Sequence, residues 1–130
     1  MYSNIKQVST KDLNDVAAVV QVYIDGLRKG DNDLLKTAFH KDATMYGKWN
    51  GTWFDESIDQ LWAYVDKYGG APDIQRRCDV LYMTPTTAVV RISLENDASG
   101  GTYFDHHILL KMKDKWEIIT KTFHMYNVWA

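Results

Sequence analysis

From residue 74 to residue 125 the chain is a succession of four strand-length runs, 74–83, 86–94, 102–112 and 116–125, separated only by Thr84-Pro85, by Asn96 to Gly101 and by Lys113-Asp114. Connections this short cannot carry the crossover that parallel neighbours require, so the four runs are predicted to pair antiparallel in chain order. A meander of this kind needs an apolar partner, and the residues before it supply one.

From Leu13 the positions Val16, Ala17, Val20, Tyr23, Ile24 and Leu27 recur at helical spacing. Ser9 or Thr10 is placed to cap this helix, Arg28 and Lys29 complement its negative end, and Gly30 suits the left-handed stop. Asp12, Asp15, Asp25 and Lys29 read as its solvated face. Asp31 or Asn32 opens a short second helix through Leu34, Leu35 and Phe39, with His40 marking its end. Residues 43–49 read as a strand, Asn50-Gly51 is a two-residue hairpin signal, and 52–54 return antiparallel. A third helix follows from Asp55 or Ser57, with Ile58, Leu61, Trp62, Val65 and Tyr68 inward and Gly69-Gly70 at its end. The expected order is α-α-β-(β)-α-β-β-β-β, an α+β domain occupying 1–130.

With 45% apolar and 25% charged residues the chain has the composition of a folded domain. Its formal charge of -2 lacks the broad positive field that nucleic acid requires, and no apolar run nears the roughly 20 residues of a membrane span. Nucleic-acid and membrane partners are therefore not expected, and a cytoplasmic protein is. Cys78 is the single cysteine, which leaves no internal disulfide and no cysteine cluster; no helical His-x-x-x-His pair or glycine-rich phosphate loop is present either. No metal or cofactor is expected. Eight tyrosines and five tryptophans suit either a core or a ligand-lined cavity.

The segment Ala18-Val19-Val20-Gln21-Val22-Tyr23, then Gly30-Asp31, then Phe39-His40-Lys41-Asp42-Ala43-Thr44, resembles the opening of nuclear transport factor 2-like proteins. That superfamily includes ketosteroid isomerases, SnoaL-like polyketide cyclases, scytalone dehydratase and non-enzymatic members. Phe104-Asp105, Leu109-Leu110-Lys111 and the run from Lys115-Trp116 to Phe123-His124 resemble its lumazine-binding-like subgroup. The resemblance implies a cystatin-like cone, a strongly curved sheet wrapping helices around a mostly apolar cavity, and a homodimer formed through the outer face of the sheet. In the isomerases a tyrosine of the first helix helps form an oxyanion hole, a position that falls on Tyr23. Their proton-shuttling aspartate falls on Gly47, so that mechanism is not inherited here.

A replacement base is sought in Asp105-His106-His107. Strand alternation groups His106 with Phe104, Ile108, Leu110 and Met112, the more apolar set, and Asp105 and His107 with Tyr103, Leu109 and Lys111. The first set is expected to face the cavity. A two-residue turn at Lys113-Asp114 would add Lys121 and Phe123 to that face, whereas a register slip of one residue would instead bring Lys121 to Asp105 and His107. His40, Tyr46, Trp53 and Trp62 are further expected ligand contacts, the last three as rings roofing the cavity.

Three functions follow: a binding domain for a small, largely apolar or aromatic molecule, anchored by His106 and Lys121; a cofactor-independent proton-transfer enzyme of isomerase, cyclase or dehydratase type, with His106 or Asp105 as base and Tyr23 or Lys121 stabilising oxyanion charge; or a protein-interaction scaffold.

Overall fold

The computed structural model describes residues 4–126. Its elements run α1 (Thr10–Lys29), α2 (Asn32–Lys36), β1 (Phe39–Trp49), β2 (Thr52–Phe54), α3 (Asp59–Tyr68), β3 (Gln75–Met83), β4 (Thr87–Glu95), β5 (Thr102–Met112) and β6 (Lys115–Tyr126). Six strands form one sheet in the order β2-β1-β6-β5-β4-β3. Every neighbouring pair is antiparallel except β1 and β6, which run parallel. The helices pack on one face, as the α+β expectation requires.

Local chemistry sets the boundaries. The Ser9 side chain accepts a hydrogen bond from the Asp12 backbone N–H, and Gly30 ends α1 at φ 65°, a conformation that favours glycine. Asn50-Gly51 and Lys113-Asp114 both turn with positive φ at each residue, the hairpin geometry whose twist matches the strands they join.

On β4 the alternation is clean: Ala88, Val90, Ile92 and Leu94 are buried, with the residues between them on the other face. These four pack into one core with Val16, Val20, Tyr23, Ile24 and Leu27 of α1, Leu61 and Val65 of α3, and Leu109 and Ile118 of β5 and β6. Burying each of these valine, leucine and isoleucine side chains stabilises the fold by about 1.5–3 kcal/mol relative to leaving it in water.

Two local expectations are corrected. His40 does not end a helix: α2 stops at Lys36, the Ala38 carbonyl accepts a hydrogen bond from the Ile118 N–H, and the chain enters β1 at Phe39. Asp12 does not belong to a solvated face. Its Oδ1 accepts from Lys111 Nζ at 3.0 Å and from Trp116 Nε1 at 3.1 Å, pinning the start of α1 to the β5–β6 hairpin.

Candidate functional site

The site is created by one irregularity in β6. Next to the turn, β5 and β6 pair as Met112 with Lys115, Leu110 with Glu117 and Leu109 with Ile118; beyond that Ile108 pairs with Thr120, so Ile119 is an extra residue on β6. A bulge of this kind reverses the alternation of everything that follows it on its strand. Lys121 therefore lies opposite His107 and Phe123 opposite Asp105, all on the helix-covered face, while Thr122 and His124 pair with His106 and Phe104 on the other.

Asp105, His107 and Lys121 are almost wholly withdrawn from solvent, at 1%, 0% and 6% exposure. Burying polar groups at this depth demands partners, and they find them chiefly in one another. The Tyr23 hydroxyl, carried in by α1, donates to Asp105 Oδ2 at 2.7 Å. His107 Nε2 lies 3.3 Å from the same oxygen and Lys121 Nζ lies 3.9 Å from it. Lys121 Nζ otherwise meets the Met45 thioether at 3.6 Å and sits 4.4 Å from the centre of the Phe123 ring. Among the described residues the lysine thus has a carboxylate for charge balance and no short hydrogen bond to an oxygen.

These contacts order the protonation states. Burial works to raise the Asp105 carboxyl, but Lys121, His107 and the Tyr23 hydroxyl outweigh it and hold the group below the usual carboxylate range. Burial pushes Lys121 below an ordinary lysine, with Asp105 opposing. It also lowers His107 against the pull of Asp105, so the ring is neutral; with Nε2–H turned to the carboxylate, Nδ1 is a bare acceptor with no hydrogen-bond partner among the described residues. Burial and the neighbouring carboxylate raise Tyr23 well above 10, so its proton stays on oxygen.

Tyr23, Asp105, Lys121 and Phe123 line a cavity of about 50 Å³. Met45, Leu27, Val65 and Ile74 make its walls apolar. Its more exposed lining residues, Gly69, Tyr64, Asp97 and Ala98, lie between the end of α3 and the β4–β5 loop. Asp97 organises that rim: it accepts from the Tyr64 hydroxyl at 2.6 Å and from the Gly101 N–H at 2.7 Å. The rings of Trp49 and Tyr103 close the side, joined by a 3.0 Å bond from indole N–H to phenol oxygen.

Packing leaves no room for a side chain at Gly47. The Phe123 ring lies against its Cα, and a Cβ built there would sit 2.5 Å from the ring carbons.

Several expected site residues lie elsewhere. His106 is exposed, Phe104 is half-buried and Ile108 is 37% exposed, all on the outer face of β5, because the apolar count of that strand does not decide which side the helices cover. Tyr46 and Trp53 also point away from the cavity, at 45% and 65% exposure. Trp62 packs edge-on against Phe39 and, with His40, lines a separate surface groove. Tyr23, Asp105, Lys121 and Phe123 are brought together. Met45, Asp97 and Tyr103 join them unforeseen; an inward Met on an alternating strand reads as core, and nothing short of strand pairing marks it as a lysine's neighbour.

Helices over one face of a mostly antiparallel sheet, with a polar-floored cavity between, define a cystatin-like, nuclear transport factor 2-like domain. Solved structures agree. An NTF2-like protein of unknown function from Methylobacillus flagellatus KT superposes with a TM-score of 0.86 at 30% identity, covering 92% of this chain and 95% of that one. A ketosteroid isomerase-like protein from Erwinia carotovora atroseptica SCRI1043 has a TM-score of 0.70 at 15% identity over 92% and 99%, a likeness of fold. The chain belongs to the family described as "Putative lumazine-binding", whose model matches residues 11–124. Among curated proteins it is 31% identical over 121 residues to aldolase FrzH of Cladobotryum sp, covering 93% of this chain and 97% of that protein.

Proposed function

We propose that this protein is a cofactor-independent enzyme that takes the carbonyl end of a small, largely apolar or aromatic molecule into the cavity and moves a proton at the adjacent carbon, in an aldol-type reaction. The observation that carries this reading is the buried Asp105 carboxylate, held ionised in an apolar cavity beside Lys121. A desolvated carboxylate is a general base, and a neighbouring lysine activates the carbonyl whose α-proton is removed. Tyr23 and His107 hold Asp105 in place through its Oδ2, leaving Oδ1 as the oxygen for proton transfer. The similarity to an aldolase over nearly its whole length supports carbon–carbon chemistry rather than binding alone.

Exchange in deuterium oxide tests the reading, with cyclohexanone as probe. The protein should place deuterium at the α-carbons faster than buffer does, and Asp105→Asn should lose that acceleration. A wild-type rate equal to that of Asp105→Asn contradicts the assignment.

A homodimer through the outer sheet face belongs to the same proposal. Tyr46, Trp53 and Ile108 leave apolar surface there that a second copy would cover. Sedimentation equilibrium checks it: Ile108→Lys should convert a dimer to a monomer, and a wild-type monomer contradicts it. No helix among the described residues is long and apolar enough to cross a membrane, and a cytoplasmic location remains part of the proposal.

A further inference from the structure

We propose that Lys121 is a covalent catalyst, forming an imine with the substrate's carbonyl carbon through its Nζ. This rests on the carbonyl chemistry proposed above and names the form that carbonyl activation takes.

Three features of the geometry point this way. First, Lys121 lines the cavity, and among the described residues its Nζ makes no short hydrogen bond to an oxygen: its neighbours are a thioether at 3.6 Å and a carboxylate oxygen at 3.9 Å. A structural lysine at this depth would be expected to place its ammonium within hydrogen-bond distance of an oxygen, where a charge-assisted bond is strongest. Second, the Phe123 ring and the Met45 thioether make its surroundings apolar, the setting in which an amine is easily deprotonated and becomes a nucleophile. Burial lowers the Lys121 ammonium accordingly. Third, the base needed after imine formation is already beside it, since Asp105 and Lys121 line the same cavity.

The chemistry balances without a cofactor. Neutral Nζ adds to the carbonyl carbon; the carbonyl oxygen takes one proton from that nitrogen and one from solvent and leaves as water, giving a protonated imine, and the solvent proton is returned when the imine is hydrolysed. The Asp105 carboxylate removes a proton from the α-carbon, and the C–H electron pair forms the enamine double bond. That enamine attacks the carbonyl carbon of an aldehyde, making the new C–C bond, and the former aldehyde oxygen takes the proton from Asp105. Water then adds to the imine and releases the β-hydroxy ketone and free lysine. Tyr23 does not supply these protons, because its own is directed at Asp105 Oδ2.

Acetylacetone is the probe, because a lysine that forms imines converts it to a stable, conjugated enaminone absorbing in the near ultraviolet. Wild-type protein should gain that absorption and the mass of acetylacetone less one water, with the modified peptide mapping to Lys121. Lys121→Arg, which keeps the positive charge, and Lys121→Met, which keeps the length, should both lose the adduct; thermal melting followed by circular dichroism shows that the variants compared are folded. Cyclohexanone with borohydride should likewise reduce a secondary amine onto Lys121. Deuterium exchange on the same samples separates the two levels of the account. Exchange without an adduct overturns the imine and leaves the proton-transfer reading standing. An adduct on Lys121 without exchange supports the nucleophile and removes the proton-transfer reading. Neither signal, or an adduct spread over surface lysines and unchanged in Lys121→Met, overturns the proposal.

Discussion

The Tyr23 hydroxyl donates a 2.7 Å hydrogen bond to Asp105 Oδ2, joining residues 82 positions apart in the interior of the domain. It couples the first helix to the floor of the cavity. The bond is charge-assisted and buried, so Tyr23→Phe should destabilise the protein by about 1.5–3 kcal/mol, measured by urea unfolding. Exchange activity should fall with it, because the carboxylate loses one of the groups that orient it.

Removing the charge of Asp105 has a larger consequence. Asp105→Asn leaves the Lys121 ammonium buried without its counter-ion, which costs about 3–5 kcal/mol. Combining it with Lys121→Met should recover most of that stability and none of the activity. Urea midpoints of the two single variants and the double variant measure the coupling; simple additivity of the losses would show that the pair does not interact.

The floor also makes stability depend on pH in a defined sense. Asp105, His107 and Lys121 all have lowered folded values, so for each the unfolded chain binds more protons, and stability rises with pH between the folded and unfolded values. For Asp105 the stabilisation is complete above the ordinary 3.8 and is lost as pH falls through its lower folded value. For His107 it is complete above 6.5 and declines below it. For Lys121 it accrues in the alkaline range up to 10.5. Unfolding free energy should therefore fall as pH is lowered through the ordinary histidine range, and His107→Gln should flatten that part of the curve.

Gly47 and Phe123 supply a packing test. A methyl group on Gly47 would lie 2.5 Å from the ring, so Gly47→Ala should cost about 1–3 kcal/mol as the ring is displaced into the cavity. Gly47→Asp should cost more and should not restore isomerase-type activity. A thermal melt matching wild type for Gly47→Ala would mean that Phe123 lies elsewhere.

The meander of β3 to β6 was legible because period-two patterning and short turns leave few alternatives, and the β1–β2 hairpin because Asn50-Gly51 carries the residues its positive φ values call for. The parallel pairing of β1 with β6 was not, since it joins segments about 75 residues apart with no local signal. For the site, Tyr23, Asp105, Lys121 and Phe123 were each visible as candidates, but their common face was not. Counting apolar residues assigns Ile108, Leu110 and Met112 inward; the helices instead cover Tyr103, Asp105, His107 and Leu109. A turn-based register puts Lys121 with His106, and only the extra residue at Ile119 reverses it. Bulges of this kind depend on how the sheet closes over its helices, so neither side of the hairpin announces one.

The account stands on Asp105 facing the cavity and His106 facing away from it. Deuterium exchange into cyclohexanone by His106→Asn and Lys121→Met, set beside wild type, tests that arrangement most directly. His106→Asn should exchange at the wild-type rate and Lys121→Met at the rate of buffer. Loss of exchange in His106→Asn with full activity in Lys121→Met would place the chemistry on the other side of the sheet and contradict the account.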